Sequence, residues 1–165
     1  MRIALQVEPE AGPPPAVEYR WDPDTDILSA RLRAAEGAGA AGSVEVSGDD
    51  GSWLILDLAE GRVAGVEVAV WPDVRKSPRL RPPEPSAEGR AVVQTKAKEG
   101  VTALEMSGAL LAESDADERT IHFRLGGAER ARTLRVGRDL LLDLDADSRL
   151  AGVWLLNVPP CPLDV

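Results

Sequence analysis

Two stretches of the chain decide its fold: LILDLAEGRVAGVEVAVWP (54–72) and LLLDLDADSRLAGVWLLNVPP (140–160). They align residue by residue, with one extra residue in the second turn, so that Gly65 lies over Gly152. Each stretch reads as an apolar strand, a turn and a second apolar strand, which is typical of a hairpin.

The similarity extends upstream in the same order. RWDPDTDILSARL (20–32) aligns more loosely with ESDADERTIHFRL (113–125). We interpret the chain as a tandem duplication, because a repeated order of similar segments indicates a repeated structural unit. The units span 1–72 and 91–165, and a proline-rich linker at 73–90 joins them. Proline lacks the N–H that a sheet ladder requires, so the linker is predicted to be a semi-extended surface connection.

Alternating apolar and polar residues, typical of half-buried strands, predict β-structure along most of the chain. The predicted strands are Ile3–Val7, Val17–Trp21, Ile27–Leu32, Val44–Val46, Trp53–Leu58, Val63–Val70, Ala91–Lys96, Thr120–Leu125, Thr133–Val136, Leu140–Leu144 and Leu150–Val158. Residues 33–42 are predicted to form a loop or a short helical turn. The segment 101–113 fits a helix or a strand, and we favour a strand because the repeat alignment places it over a strand of the first unit.

The predicted fold class is all-β, with two related antiparallel β-meander units packed as one pseudo-two-fold sandwich or open barrel. A unit of this size buries only about 60% of its unfolded surface, so the two units are expected to share a core. Gly65 and Gly152 interrupt apolar strands at the same point. They indicate a bulge or a close backbone approach, or else a ligand lying against bare backbone.

Composition excludes several classes of protein. The 165 residues carry a formal net charge of -9 and include one Cys and one His. A disulfide framework and a multi-Cys zinc site are therefore excluded, and an acidic surface disfavours nucleic acid. No apolar run approaches the ~20 residues that span a membrane, and no signal-peptide pattern is present, so we expect a cytoplasmic protein. The basic part of the linker (Arg75, Lys76, Arg79 and Arg81) is either solvated or contacts an acidic partner.

Alternating aspartates are the strongest candidate site residues. The candidates are Asp22, Asp24, Asp26, Asp57, Asp143, Asp145 and Asp147. Two D-x-D-x-D runs offer oxygen ligands that suit Ca²⁺, but neither continues as an EF-hand loop. Capping of turns by backbone N–H groups is the alternative role. Asp57 and Asp143 are equivalent in the repeat, either as a carboxylate pair or because both precede a hairpin turn.

Other chemistry is weakly indicated. His122 is the only histidine and is predicted to face outward from a strand, opposite to Ile121 and Phe123. No nucleophile elbow, zinc-protease motif, P-loop or dinucleotide fingerprint is present, so no catalytic residue, metal ligand or cofactor is predicted. Of the four tryptophans, most are expected in the core, and two exposed on one face would indicate an interaction surface.

The residues of the first unit resemble the short bacterial family known as domain-of-unknown-function family 2283. The resemblance rests on Trp21, Asp22, Asp26 and Leu28, and on Ile55, Leu56, Asp57, Gly61, Arg62, Val63, Gly65, Val66 and Glu67. The second unit departs from the pattern, since Ser114 and Arg119 replace the aromatic residue and the second aspartate. The resemblance implies no established catalytic residue. It implies a binding or neutralising role, because some members are encoded beside small toxin-like proteins.

These observations favour a non-enzymatic protein-interaction or regulatory module, antitoxin-like if the resemblance holds. Its protein partner would dock on a sheet edge or on a face that carries tryptophan. The alternative is a small-ligand or metal-binding protein, including a hydrolase, that uses acidic turns between the repeats. No membrane or nucleic-acid partner is predicted, and the oligomeric state does not follow from the sequence.

Overall fold

A computed structural model describes residues 3–33, 41–94 and 103–162, and these residues form strands, turns and loops without an α-helix. The strands are β1 (Ala4–Glu8), β2 (Val17–Asp22), β3 (Ile27–Leu32), β4 (Ala41–Gly48), β5 (Trp53–Ala59), β6 (Arg62–Val70), β7 (Val74–Lys76), β8 (Ala87–Glu88), β9 (Arg90–Gln94), β10 (Ala103–Gly108), β11 (Leu110–Ser114), β12 (Ile121–Leu125), β13 (Arg132–Gly137), β14 (Leu140–Leu144) and β15 (Leu150–Leu155). The all-β prediction is confirmed.

The strands form two sheets whose central parts have the same order. Five antiparallel strands run β2-β3-β6-β5-β4 in the first sheet and β11-β12-β15-β14-β13 in the second. The first sheet is extended by β1 and β9, and by β10, which lies parallel to β4. Short strands β7 and β8 lie parallel to β11 and β13 and flank the second sheet.

The registers of the two sheets also correspond. One row across each sheet joins a basic residue, a glycine, an aspartate and a hydroxyl residue on four neighbouring strands. These rows are Arg31, Gly65, Asp57 and Ser43 in the first sheet, and Arg124, Gly152, Asp143 and Thr133 in the second. Because paired residues share a face, each row lies on the outer face of its sheet, opposite the buried leucines and valines.

The inner faces pack against each other in a sandwich that is not closed into a barrel. Buried side chains from both sheets, including Leu56, Val66, Phe123 and Leu142, form one hydrophobic cluster. Hydrogen bonds also join the sheets, since the Tyr19 hydroxyl donates to the Leu156 carbonyl oxygen at 2.6 Å. Burial of this phenol raises its pKa. The predicted shared core is therefore observed.

Within the predicted segment 101–113, the described residues lie in β10 and β11, so the prediction of a strand is confirmed for them. Residues 101–102, most of the 33–42 loop and the end of the predicted strand at Lys96 lie outside the described residues. Strands β9 and β10 fall within the second sequence unit but join the first sheet. The second half of the sequence thus contributes two strands to the first sheet, which the repeat alignment did not predict.

The proline-rich linker crosses the second sheet. Strands β7 and β8 occupy its opposite edges, which are six strand spacings apart, or about 29 Å. The ten residues 77–86 between them begin with a turn, in which the Leu80 N–H donates to the Ser77 carbonyl oxygen at 2.9 Å. The inner face is filled by the core, and Leu141 and Trp154 on the outer face are buried. Leu80 and Pro83 of the linker are half-buried.

Candidate functional site

A groove lies where one end of the first sheet meets the second. Its volume is about 610 Å³, and we name it the tryptophan groove. It is lined by Trp21, Asp26, Trp71, Val74, Ser114, Asp117, Glu118, Ile121, Pro159, Pro160 and Cys161. Both tryptophans are half-buried, and their rings stack with centroids 5.7 Å apart. The sequence set two tryptophans exposed on one face as the condition for an interaction surface. Trp21 and Trp71 lie together but are half-buried, and Trp53, at 38%, is the only exposed tryptophan of the four, so this condition is not met as stated.

Hydrogen bonds fix the tryptophan rings. Trp21 Nε1 donates to the Pro159 carbonyl oxygen at 2.8 Å, and Trp71 Nε1 donates to the Asp26 carbonyl oxygen at 2.7 Å. Trp71 also contacts Phe123 of the core, with ring centroids 5.7 Å apart. The indole N–H groups are therefore satisfied within the chain, and the apolar ring surfaces are what the groove presents.

The rim of the tryptophan groove is acidic. Asp26, Asp117 and Glu118 line it and are exposed. Lys76 approaches Glu118, with Nζ 3.3 Å from Oε1, but both side chains are more than half exposed. Such an exposed pair contributes little energy, so its carboxylate remains accessible to a competing cation.

A buried polar cluster occupies the outer face of the second sheet. Asp143 is 2% exposed, and its Oδ1 accepts a hydrogen bond from Thr133 Oγ1 at 2.9 Å. Its Oδ2 lies 2.8 Å from His122 Nε2, and Trp154 Nε1 lies 3.1 and 3.0 Å from the two oxygens. The His122 and Trp154 rings stack with centroids 3.9 Å apart. An ionised carboxylate offers only lone pairs, so the Nε2–H tautomer of His122 is the one that satisfies this contact.

Small residues open a cavity beside this cluster. The cavity has a volume of about 430 Å³ and is lined by His122, Arg124, Ala128, Glu129, Arg130, Asp143 and Ala151. We name it the Gly152 pocket, because Gly152 lies between the side chains of His122 and Asp143. A Cβ atom on Gly152 would lie 2.8 Å from Asp143 Oδ2 and 3.1 Å from His122 Nε2. The predicted close approach at the strand glycines is confirmed, since a Cβ on Gly65 would lie 2.7 Å from the Ala30 carbonyl oxygen.

The equivalent place on the first sheet has different chemistry. Asp57 is half-buried, and burial raises the pKa of its carboxyl, although the charge of Arg31 acts in the opposite direction. Burial and the nearby Asp57 charge also raise the pKa of Glu67. Ser29 and Glu67 take the positions that His122 and Trp154 hold in the second sheet. Asp57 therefore lacks counterparts of the His122 and Trp154 donors, and only Ser43 takes the position of a donor, that of Thr133.

Replacing Asp57 with asparagine is expected to stabilise the protein modestly at neutral pH. A carboxyl with a raised folded-state pKa releases its proton more readily when unfolded, so the wild type loses stability as pH rises from about 4 through the raised value. Below that window the folded carboxyl is protonated and the advantage of Asp57→Asn disappears. Urea unfolding of both proteins between pH 4 and 7 measures the difference. An Asp57→Asn protein that gains no stability relative to wild type as pH rises contradicts this interpretation.

One aspartate of each D-x-D-x-D run, Asp22 or Asp145, caps a turn. Asp22 Oδ1 accepts from the Asp24 N–H at 3.0 Å. Asp145 Oδ1 accepts from the N–H groups of Asp147 and Arg149, each at 2.9 Å. This capping explains how the second turn forms without glycine, with Ser148 at a φ of 61°. Within the described ranges, no group of three His, Cys, Asp or Glu residues is arranged to hold a metal ion.

Of the candidates from the sequence, Asp143 and Asp26 line cavities, whereas Asp24 and Asp147 are exposed turn residues. His122 faces outward from its strand as predicted, but it is only 12% exposed and bonds to Asp143. Thr133 and Trp154 were not predicted to join it. Strand alternation alone places His122, Asp143, Thr133 and Trp154 on one face once the strand order is known. The order was therefore the missing information.

Comparison with protein-family models and with curated proteins found no match for this chain. In the parts of the chain that the structure describes, no helix is long and apolar enough to cross a membrane.

Proposed function

We propose that the protein is a non-enzymatic interaction module whose tryptophan groove binds a basic segment of a partner protein. The observation that carries this proposal is the stacked Trp21–Trp71 pair at the base of a groove rimmed by carboxylates. The occupant would be an extended segment in which lysine or arginine stands beside apolar residues.

The groove offers apolar ring surfaces and carboxylates, which suit the apolar and the basic residues of such a segment. Tryptophan faces attract cations and also bury apolar side chains, and a cation over an indole ring contributes about 0.5–2 kcal/mol. Asp26 and Asp117 supply negative charge at the rim. Val74, which is 38% exposed, extends the apolar surface beyond the rings. An acidic partner would be repelled by the same rim, so charge complementarity selects a basic one.

A sheet edge is a less suitable docking surface in the second sheet. Its edges are occupied by β7 and β8, which have three and two residues. Short edge strands offer few free backbone groups for pairing with another chain. The groove therefore supports docking better than β-augmentation at these edges.

The resemblance to domain-of-unknown-function family 2283 is compatible with this function and remains a proposal. A module that binds a basic segment of a toxin-like protein would act as an antitoxin. We also propose that the two sheets arose by tandem duplication, supported by their common strand order and by the equivalent rows through Gly65 and Gly152. On that interpretation the groove, which contains two of the three tryptophans of the first unit, is specific to one copy.

Binding of a short blocked peptide tests the proposal. The probe is an eight-residue peptide with two arginines and two leucines, and a control peptide carries glutamate in place of each arginine. Titration followed by tryptophan fluorescence is expected to give saturable binding of the arginine peptide only. The double variant Asp26→Asn, Asp117→Asn should weaken this binding by about tenfold, because two charge-assisted contacts are lost.

The matched control removes the same charge elsewhere. Asp24 and Asp49 are exposed turn residues that do not line the groove, so Asp24→Asn, Asp49→Asn should bind the peptide like the wild type. Asparagine at position 26 tolerates the φ of 59° found there, so loss of fold is not expected. Equal binding of both peptides, or equal weakening in both double variants, overturns the proposal.

A further inference from the structure

We propose that the Gly152 pocket is a second site, which binds a small organic anion such as a carboxylate or a phosphate monoester. It lies on the outer face of the second sheet and is lined by none of the residues that line the tryptophan groove. The inference therefore stands or falls independently of the peptide-binding function.

Two guanidinium groups line this pocket without a carboxylate partner. Arg124 and Arg130 are exposed, and neither forms a hydrogen bond or an ion pair with any residue that the structure describes. Some arginines on the surface are paired, as Arg149 is with Asp145 and Asp147, whereas Arg75 and Arg79 are exposed and form no ion pair with a described residue. What distinguishes Arg124 and Arg130 is that both line one cavity. Planar guanidinium groups match carboxylate and phosphate oxygens in a bidentate geometry, so two of them at one cavity indicate an anionic ligand.

The pocket also contains two negative groups, Asp143 and Glu129. The Asp143 carboxylate already accepts hydrogen bonds from Thr133, Trp154 and His122, so its charge is stabilised inside the protein. Glu129 is the other acid that lines the cavity, and it is exposed at the rim. Two guanidinium groups and two carboxylates therefore line the cavity. Because the Asp143 oxygens are engaged by three donors, the guanidinium groups are the hydrogen-bonding groups that remain open to an anion.

The floor of the pocket is built and held open. Asp143 fixes His122 through Nε2, so the Nδ1 edge of the ring makes no hydrogen bond within the described part of the chain and is left for a ligand. Gly152 and Ala151 contribute no bulk, and the stacked Trp154 holds the imidazole plane. A cavity of about 430 Å³ accommodates a small organic molecule. Rigid polar groups at the base of an open cavity are typical of a binding site.

The single histidine makes this site directly observable. Because His122 is the only histidine in the chain, its ring C–H signals in a proton NMR spectrum belong to this pocket alone. The probes are sodium phosphate, phenyl phosphate and sodium benzoate at constant pH, with sodium chloride matching the ionic strength. We expect at least one organic anion to shift the His122 signals saturably, whereas chloride does not.

The double variant Arg124→Gln, Arg130→Gln is expected to weaken that binding at least tenfold, because hydrogen bonds to charged groups are lost. Both side chains are exposed, so the fold should persist, and unchanged unfolding in urea verifies this. Arg31→Gln is the matched control, since Arg31 is equivalent to Arg124 in the first sheet and should leave binding unchanged.

The relative responses to phenyl phosphate and benzoate assign the ligand class. Saturable shifts with either one, lost in the double variant and kept in Arg31→Gln, support the site. Shifts that follow ionic strength alone, or that are the same in the double variant, overturn it. Peptide binding in the tryptophan groove should be unaffected by Arg124→Gln, Arg130→Gln, so the two proposals can fail separately.

Discussion

Replacing Asp143 with alanine is expected to lower the free energy of unfolding by about 3–5 kcal/mol, the cost of breaking a buried charged network. The carboxylate accepts hydrogen bonds from Thr133, His122 and Trp154 and is 2% exposed. Alanine removes the acceptor and leaves the three donors without their shared partner. Each buried donor without a partner costs about 1–3 kcal/mol. Urea unfolding followed by circular dichroism measures the loss.

The first sheet supplies the control for this prediction. Asp57 is equivalent to Asp143 in register, but its pKa is raised by burial and three donors do not surround it. Asp57→Ala is therefore expected to change stability far less than Asp143→Ala. If Asp143→Ala does not fold, Asp143→Asn takes its place in the comparison, because its amide offers only one acceptor oxygen to the three donors. Equal effects of alanine at positions 57 and 143 would contradict the view that the two rows differ in chemistry.

Replacing Gly152 with valine is expected to destabilise the protein by about 3 kcal/mol, the upper part of the usual range for overpacking. The first added atom, Cβ, would lie 2.7 Å from the Phe123 carbonyl oxygen and 2.8 Å from Asp143 Oδ2. The carbonyl belongs to the neighbouring strand β12, so it cannot move without disturbing the ladder between β12 and β15. The expected result is a lower urea midpoint together with a shifted His122 ring signal.

Arg124→Val is the control for Gly152→Val, because Arg124 pairs with Gly152 across the same ladder and is exposed. A valine there adds a β-branched side chain on the same face without a clash, so its effect should be small. Gly65→Ala should also be destabilising, since its Cβ would lie 2.7 Å from the Ala30 carbonyl oxygen. A Gly152→Val protein as stable as wild type would show that the backbone approach is looser than described.

Much of the fold could be predicted from local sequence patterns. The strand Ile27–Leu32 was predicted with the bounds observed, because its apolar residues alternate and an aspartate-rich turn precedes it. Gly61 takes the φ of 77° expected from the hairpin sequence, next to Glu60 at 52°. Two central residues with positive φ form the type I′ turn that joins β5 and β6. Alternation and turn chemistry act over a few residues, so they can be read from the sequence.

Pairing between distant segments could not be read in this way. Strand β10 lies parallel to β4 although about 60 residues separate them in sequence, and the residues between 95 and 102 carry no pattern that selects this edge. The candidate sites depend on such pairings. Trp21 meets Trp71 only because β3 lies beside β6, and His122 meets Asp143 only because β15 lies between β12 and β14. Residue types were visible in the sequence, but their neighbours were not.

The site chemistry was therefore only partly foreseen. The sequence identified Asp143 through its equivalence to Asp57, but that equivalence concealed how much their surroundings differ. The sequence associated an interaction surface with tryptophans without saying which ones, and the fold brings Trp21 and Trp71 together. The polar cluster required three residues with no local signature. Thr133, His122 and Trp154 become a group only when four strands are aligned side by side.

Native-state hydrogen exchange tests most directly the claim that both sheets, and the sites built on them, depend on one shared core. The reporters are the backbone amides of Leu56 in β5 and Leu142 in β14, each in a strand flanked on both sides. The shared core predicts that both amides exchange through the same global unfolding, with equal free energies and equal dependence on denaturant. If Leu56 and Leu142 exchange with clearly different free energies, the sheets unfold separately and the single-core account is contradicted.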